Sequence, residues 1–316
     1  MAFRDRTPGL TMLLYHGVTA SRSRGIENFS RKHIHADEFD RQMKFLRDEC
    51  AVLSIDEVVD LRERGRPYPP RSVAVTFDDG FKNNAAVAAP ILRDHGVPAV
   101  FYVTAGMVNT DLMFWVDKVE DCINLTEKSD ITVQLQQPRK FSLSDDAEKI
   151  EAITEIKKFC KSVEDTRKNQ VLSDLIEQTG VLPSVAHADN YQKLGWKELI
   201  AMHEDPLFTI GGHSMYHSIL ANLEPREMER DVNLSIGLLE YHLKDKLTHY
   251  AYPEGQAEHY NDRVVDHLKK QGIVCSPSAI YGFNGAEIGL FDLRRIMVGF
   301  MDEPFPFDPE YEEALS

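Results

Sequence analysis

The sequence predicts an α/β protein built on parallel strands, and three observations carry that expectation. Short runs rich in β-branched and aromatic residues, such as Val73-Ala74-Val75 and Ala99-Val100-Phe101-Tyr102-Val103, alternate with apolar stripes at helical spacing. Residues suited to chemistry follow several of those runs: His16, Asp78-Asp79, His213 and the segment 250–255. In a parallel barrel such strand ends share one face, where active sites collect. Between 109 and 190 the rhythm breaks and helical stripes dominate.

Taken in order, Thr11-Met12-Leu13-Leu14-Tyr15-His16 reads as a first strand with a histidine at its end. Residues 17–37 are polar, rich in Arg, Ser and His, and read as a surface loop. Phe39, Met43, Leu46 and Cys50 recur at helical spacing, predicting a helix over 37–48 before a strand at Ala51-Val52-Leu53. Ser54 offers a cap to a short helix, and Pro67-Tyr68-Pro69-Pro70 closes that unit before the strand at 73–77. A helix carrying Val87, Ile91 and Leu92 ends near Gly96, and the strand at 99–103 follows.

The stretch 109–190 holds stripes at Trp115, Val119, Cys122 and Ile123, at Ile150, Ile153, Ile156, Cys160 and Val163, and at Val171, Leu172, Leu175 and Ile176. A short hairpin is expected around Ile131-Thr132-Val133. The expectation is one domain over 1–316 with a mainly helical insertion at 109–190, which either covers a barrel edge or shapes the substrate cleft. Alternation then resumes with a helix near 196–200, a strand at 207–210 and a long helix carrying Met228, Val232, Ile236, Leu239 and Leu243. Strands at 249–252 and 273–275 flank a helix around Val264, Val265 and Leu268. The run 293–298 is the last apolar piece, and the acidic, Pro-rich tail from Met301 reads as a surface arm.

A chain of 316 residues, 42% hydrophobic and 28% charged, is long enough to bury a substantial core. Its formal charge of −15 argues against a nucleic-acid surface, since phosphate backbones demand a basic patch. Cys50, Cys122, Cys160 and Cys275 have neither zinc-knuckle nor disulfide-framework spacing and are expected reduced. The N-terminal ten residues lack an apolar signal core, and no stretch approaches a membrane span.

Asp78 and Asp79 stand side by side at a predicted strand end, and Gly80 lets the backbone turn. Adjacent carboxylates in a buried place need a cation, a proton or water. His213-Ser214-Met215-Tyr216-His217 supplies two imidazoles; if the segment opens a helix, residues four apart reach one ion. Asp79, His213 and His217 thus offer one oxygen and two nitrogens to a single divalent metal, a set that suits zinc and tolerates cobalt or nickel. Asp78 is placed as the base that takes a proton from an ion-activated water. His16 either protonates a departing amine or holds the carboxylates by hydrogen bonds. Arg295 either orders Asp78 and keeps it ionised or forms a structural ion pair. Tyr250, Tyr252, Pro253 and Glu254 are expected in the substrate cleft, Tyr250 and Tyr252 as packing and cleft wall, while Glu254 either touches substrate or faces solvent in a turn. A backbone N–H of that segment would serve a developing oxyanion. Trp115 either stacks on a sugar or belongs to the core of the insertion.

These residues resemble the polysaccharide deacetylases of the NodB-homology type, carbohydrate esterase family 4. Thr76-Phe77-Asp78-Asp79-Gly80 is similar to the first motif, with its base and metal aspartates, and His213-Ser214-Met215-Tyr216-His217 to the second. The likeness covers roughly 11–108 and 191–300. It implies a distorted (β/α)7 barrel and metal-dependent removal of an N-acetyl group from an amino sugar. Two departures stand out: the segment Tyr250-Ala251-Tyr252-Pro253-Glu254-Gly255 replaces an arginine-bearing third motif, and no histidine follows Leu293. The chain looks more like a subgroup with Tyr15-His16-Gly17-Val18 and Arg295-Ile296, in which His16 replaces the missing acid and Arg295 the missing arginine. The subgroup implies a surface-glycan or glycan-precursor pathway. With no export signal read, the expectation is a cytoplasmic enzyme, integral to no membrane but able to sit at its inner face, acting on a lipid-linked or nucleotide-linked amino sugar. Hydrolysis of another small amide, such as an N-formyl group, and glycan binding around a residual metal site are the competing readings.

Overall fold

The computed structural model describes residues 9–308, and its contacts divide them into two compact units. Among the described residues, unit 1 takes in 9–20, Ser30–Thr110 and 193–308; unit 2 is Ser21–Phe29 with Asp111–Gln192. The charged residues 1–8 and the last part of the acidic tail, 309–316, lie outside the described residues.

Unit 1 opens with β1 (Leu10–Tyr15), every residue of which is buried. The loop expected over 17–37 instead contains two short strands, β2 (Gly17–Thr19) and β3 (His33–His35), paired in parallel from Gly17↔His33. The polar composition concealed them because a three-residue strand carries almost no periodicity. α1 (Ala36–Glu49) buries Phe39, Gln42, Met43 and Leu46, and β4 (Ala51–Val52) follows. α2 (Ile55–Glu63) starts at Ser54, whose hydroxyl accepts the Glu57 N–H at 3.2 Å while the Glu57 carboxylate accepts the Ser54 N–H at 2.8 Å. Such reciprocal capping is worth about 1 kcal/mol. β5 (Ser72–Phe77) is again wholly buried; α3 (Ala89–His95) ends on left-handed Gly96, and β6 (Ala99–Val103) follows.

Unit 2 is mainly helical. α4 (Trp115–Leu125) leads to an antiparallel hairpin of β7 (Asp130–Gln134) and β8 (Pro138–Ser142), then α5 (Asp146–Lys161) and α6 (Asp165–Thr179). Its own core gathers Ile123, Val133, Phe141, Ile153, Ile156, Val171 and Leu175. The segment Ser21–Phe29 joins it through buried Ile26, whose N–H donates to Asn124 Oδ1 at 3.0 Å.

Returning to unit 1, α7 (Trp196–His203) precedes β9 (Phe208–Gly212), α8 (Pro225–Leu243), α9 (Asp262–Lys270) and β10 (Ile296–Met297). The central sheet is parallel, in the order β10-β1-β5-β6-β9, with β4 on β5. Beyond β9 the wall continues through single parallel bridges, Gly212↔Tyr250 and His249↔Cys275. Ser276 and Ser278 then donate to Leu290 and Leu293, and Arg295 donates back to Ile280. This is a distorted (β/α) barrel, its distortion lying where full ladders give way to isolated bridges. Phe39, Phe77, Phe101 and Phe208 form an aromatic chain between sheet and helices, with Phe77 and Phe101 stacked at 4.8 Å. The expected surface arm is partly anchored: Phe305 is buried and meets the Phe45 ring edge-on at 5.9 Å. Two phenylalanines between prolines outweigh the acidic composition there.

Candidate metal centre

Parallel pairing decides which residues meet. Tyr15 stands opposite Phe77, Phe77 opposite Phe101, and Val103 opposite Gly212. The residues that follow these strands, His16, Asp78-Asp79 and His213, therefore emerge on one edge of the sheet. The Asp78 N–H still donates to Tyr15 O at 3.0 Å, after which Asp79 and Gly80 both take φ of 79° and turn the chain away. Glycine is required at 80, because a Cβ there would meet Val103 Cγ1 at 3.0 Å in a left-handed conformation.

The three expected ligands converge. Asp79, His213 and His217 each offer one donor atom, and these atoms lie within 4.8 Å of one another. Asp79 Oδ1 is 3.7 Å from His213 Nε2 and 3.4 Å from His217 Nε2. His213 Nδ1 is 2.9 Å from Ala251 O, which places the proton on Nδ1 and leaves Nε2 as a lone pair facing the carboxylate. Burial pulls the His213 imidazole down to about 4, against the pull of Asp78, so it is neutral at pH 7. Burial pushes Asp79 up, but the imidazoles of His217, His16 and His213 outweigh it and hold the carboxyl well below its usual range. Asp79 Oδ1 is buried with no hydrogen-bond partner. An orphaned buried carboxylate oxygen between two imidazole nitrogens fits a divalent cation, and the oxygen–nitrogen–nitrogen set is one that zinc, cobalt or nickel accepts.

The geometry of convergence differs from a helical pair. His213 to His217 form a turn, with Ser214 at φ 62° and His217 at φ 61°, and α8 begins only at Pro225. Left-handed residues at both points swing the two rings to 5.0 Å without a helix. The turn is braced from below. Ser214 N–H donates to the Tyr250 hydroxyl at 2.8 Å, Tyr250 Oη lies 3.1 Å from Ser235 Oγ, and Met215 N–H donates to Asp231 Oδ1 at 2.9 Å.

Asp78 is turned toward Arg295. The guanidinium grips it with both arms, at 2.7 Å to Oδ1 and 2.8 Å to Oδ2, and its side chain is 0% exposed. Arg295 also donates to Ser278 O at 2.6 Å and Thr76 Oγ1 at 3.2 Å. Burial raises the Asp78 carboxyl, but Arg295 and then His213 overcome it and keep it below the ordinary carboxylate value. His16, half-buried, has its backbone carbonyl held by Asn84 Nδ2 at 3.1 Å and its ring 6.0 Å from Phe300. Burial lowers its imidazole, opposed by Asp79 and Asp78.

Residues 65–155 and 166–276 match the family described as polysaccharide deacetylase. The chain belongs to the polysaccharide deacetylase family. Poly-beta-1,6-N-acetyl-D-glucosamine N-deacetylase of Staphylococcus aureus is 29% identical over 100 residues, 31% of this chain and 33% of that protein. The match thus spans about a third of the curated relative's length. Among solved structures, IcaB from Ammonifex degensii superposes with a TM-score of 0.60 at 18% identity, covering 98% of this chain and 96% of that one. Streptococcus pyogenes deacetylase PplD, in complex with acetate, gives 0.61 at 18% identity over 96% and 97%. These likenesses concern the fold.

In this family member, part of the expected cleft wall lies inside the protein. Tyr250 and Tyr252 are 0% exposed: the first braces the histidine turn, and the second donates to Phe291 O at 3.0 Å and stacks on Tyr260 at 4.0 Å. Both read as cleft residues because they lie beside a strand end, but their rings point into the wall. Pro253 is buried and Glu254, at φ 60°, is half-buried in the turn. The N–H groups of Tyr250, Ala251 and Gly255 are committed to Cys275 O, Gly212 O and Pro253 O, and Pro253 has none to offer an oxyanion. Trp115 belongs to unit 2, where it packs on that unit's core under the Lys168 ammonium at 5.6 Å. Sequence reasoning missed a cavity of about 290 Å³ lined by Tyr281, Arg295, Met297, Phe300, Met301 and Glu303. Its one legible signal was the pair of aromatic residues beside Gly282 and Gly299.

Proposed function

We propose that this protein is a metal-dependent N-deacetylase acting on an N-acetylated amino sugar of a surface glycan or its precursor. One observation carries the reading: a carboxylate held ionised by a buried, two-armed arginine stands beside a separate carboxylate that shares a cation site with two imidazoles. Two adjacent aspartates with such different partners have two different tasks.

The cation, for which zinc is the first choice, would be held by Asp79, His213 and His217. Bound there it would acidify a water and polarise the amide carbonyl. Asp78 accepts the proton of the attacking water. The Arg295 grip keeps that carboxylate ionised and fixes the direction of its lone pairs. As the carbon–nitrogen bond breaks, protonated His16 delivers a proton to the departing amine, giving acetate and a free amino sugar. The cavity beside Arg295 gives room for a sugar ring next to the reacting amide.

Four free thiols, three of them buried, suit the reducing cytoplasm, and no described helix is long and apolar enough to cross a membrane. The deciding experiment is acetate release from N-acetylated glycans and sugar precursors, using metal-stripped protein, protein reloaded with zinc, cobalt or nickel, and Asp78→Asn. Metal-dependent release that disappears in D78N is expected. A folded, metal-loaded protein silent on every N-acetyl sugar, yet active on an N-formyl amide, would overturn the reading.

A further inference from the structure

The cavity beside Arg295 is walled by a strand end and a tightly folded loop. β10 pairs with β1 in parallel, Leu14 opposite Met297, and the Val298 N–H donates to Leu14 O at 3.0 Å. The residues that follow, Gly299 and Phe300, therefore emerge on the same edge as His16, and the Phe300 ring lies 6.0 Å from that imidazole. The loop then folds back through left-handed residues, Gly299 at φ 83°, Met301 at φ 55° and Asp302 at φ 62°. Gly299 N–H donates to Glu303 O at 2.8 Å, Asp302 N–H to Gly299 O at 3.0 Å, and Met301 N–H to Ser30 O at 2.6 Å. Arg31 pins the loop from outside, reaching Asp302 Oδ1 at 3.2 Å and Glu38 Oε2 at 2.6 Å. Glycine is required at 299, since an added Cβ would run into Ile34 Cγ2. Two non-glycine residues kept left-handed by these contacts give the cavity wall one fixed shape, the kind of backbone that collects at ligand sites.

The lining has a definite chemical character. Tyr281, Phe300, Met297 and Met301 supply two rings and two thioethers, and two charged side chains, Arg295 and Glu303, join them. Arg295 is already committed, both of its arms holding Asp78. The Glu303 carboxylate makes no hydrogen bond or ion pair among the described residues. The charge left to meet a ligand there is thus negative, in a chain whose net charge of −15 adds a field of the same sign. Aromatic faces also attract cations and repel anions. An ammonium group suits such a wall, and a phosphate or uronate does not. At about 290 Å³ the cavity is at the small end of ligand sites, the size for one sugar ring. Asp78, Asp79, His213 and His217 are not among its lining residues, so a ring seated there lies beside the reacting residue.

We propose that the cavity is a subsite for the sugar next to the one being deacetylated, and that Glu303 receives the ammonium group of a neighbour already deacetylated. The substrate class is then an oligomer of amino sugars, on which each release of acetate leaves the group that the subsite prefers. The inference rests on the deacetylase reading and narrows it from N-acetyl sugars in general to partly deacetylated chains.

The test uses N-acetylglucosamine tetramers in three forms: fully acetylated, with one glucosamine unit, and with one glucuronate unit. Metal-loaded wild type, Glu303→Gln and Glu303→Lys are assayed for acetate release. Binding of the fully deacetylated glucosamine tetramer, which offers no amide to cleave, is followed by calorimetry on the same proteins. The glucosamine-containing tetramer is expected to show a kcat/KM about fivefold above the fully acetylated one, the scale of one partly solvated ion pair. E303Q keeps an acceptor for a hydroxyl but loses the charge, so the ratio should fall to about one; E303K should turn the preference toward the uronate. Affinity for the glucosamine tetramer should weaken in the same order and with added salt. The Glu303 side chain is exposed and the loop is closed by its backbone, so both variants keep the fold. A merely structural role would lower all three tetramers together and leave their ratios unchanged, which would overturn the proposal. Equal use of the three, or a glucosamine preference that survives E303Q, would also overturn it, while acetate release leaves the deacetylase reading standing. Glu303-dependent binding of the glucosamine tetramer with no acetate released from any form would sustain the ammonium subsite and remove the deacetylase reading. Absence of both binding and release would overturn both.

Discussion

Replacing Arg295 with methionine isolates the contribution of the two-armed grip on Asp78. Arg295 is fully buried and makes four polar contacts, two with Asp78 and one each with Ser278 O and Thr76 Oγ1. Removing one member of a buried ion pair costs about 3–5 kcal/mol, because the other charge is left in a poorly solvated place. The remaining carboxyl escapes by taking up a proton. In the wild type the guanidinium overrides burial and keeps Asp78 below the ordinary carboxylate value. In R295M burial prevails, and the carboxyl then rises above its ordinary value. A base must be ionised to act, so the acidic limb of the kcat/KM profile moves to higher pH. At pH values where the carboxyl is protonated, the loss in kcat/KM approaches the roughly 100-fold or more that a general base contributes, and it shrinks as pH rises. The assay is a pH series of acetate release, with zinc content and circular dichroism checked on each preparation. An R295M protein that folds, holds zinc and shows an unshifted acidic limb would refute the argument that Arg295 sets the ionisation of Asp78.

Other perturbations follow from neighbouring contacts. Zinc at about 100 times its dissociation constant stabilises a protein that binds it only when folded by about 2.7 kcal/mol, and Asp79→Ala should abolish that rise in melting temperature. Tyr250→Phe removes the acceptor of the Ser214 N–H and leaves that donor buried, which costs about 1–3 kcal/mol; zinc affinity should fall because the turn carrying both histidines loses its brace. Burial raises the Asp231 carboxyl to about 6 although it accepts the Met215 N–H. A carboxyl raised in the folded state contributes stability that is complete below its unfolded pKa of about 4 and is lost as pH rises through 6. Thermal melts of the wild type should therefore decline between those values, and Asp231→Asn, which keeps the acceptor and cannot ionise, should flatten that part of the curve.

How far the site could be read in the sequence depended on the range of the forces that build it. Asp78, Asp79 and His213 were legible because parallel strands share a direction, so strand ends alone bring them to one edge. The histidine pair was legible as a pair but not as a turn. Ser214 and His217 adopt left-handed φ that neither residue type announces, and the strain is held by Tyr250, Ser235 and Asp231. Tyr250 looked like a cleft residue for the same reason: its role is defined by a helix that local pattern cannot place beside it.

Arg295 lies 217 residues from Asp78 in the chain, and its neighbour Arg294 has the same chemistry. Strand geometry separates them. Successive residues of an extended chain face opposite ways, so only one can point inward. Arg294 instead lies against Gly282, where an added Cβ would meet its Cδ at 2.7 Å, while Arg295 spans Ser278, Thr76 and Asp78. The residues of the candidate metal centre were thus mostly visible at strand ends. Those that brace and order it depend on register between segments far apart in sequence, and register is a property of the folded sheet.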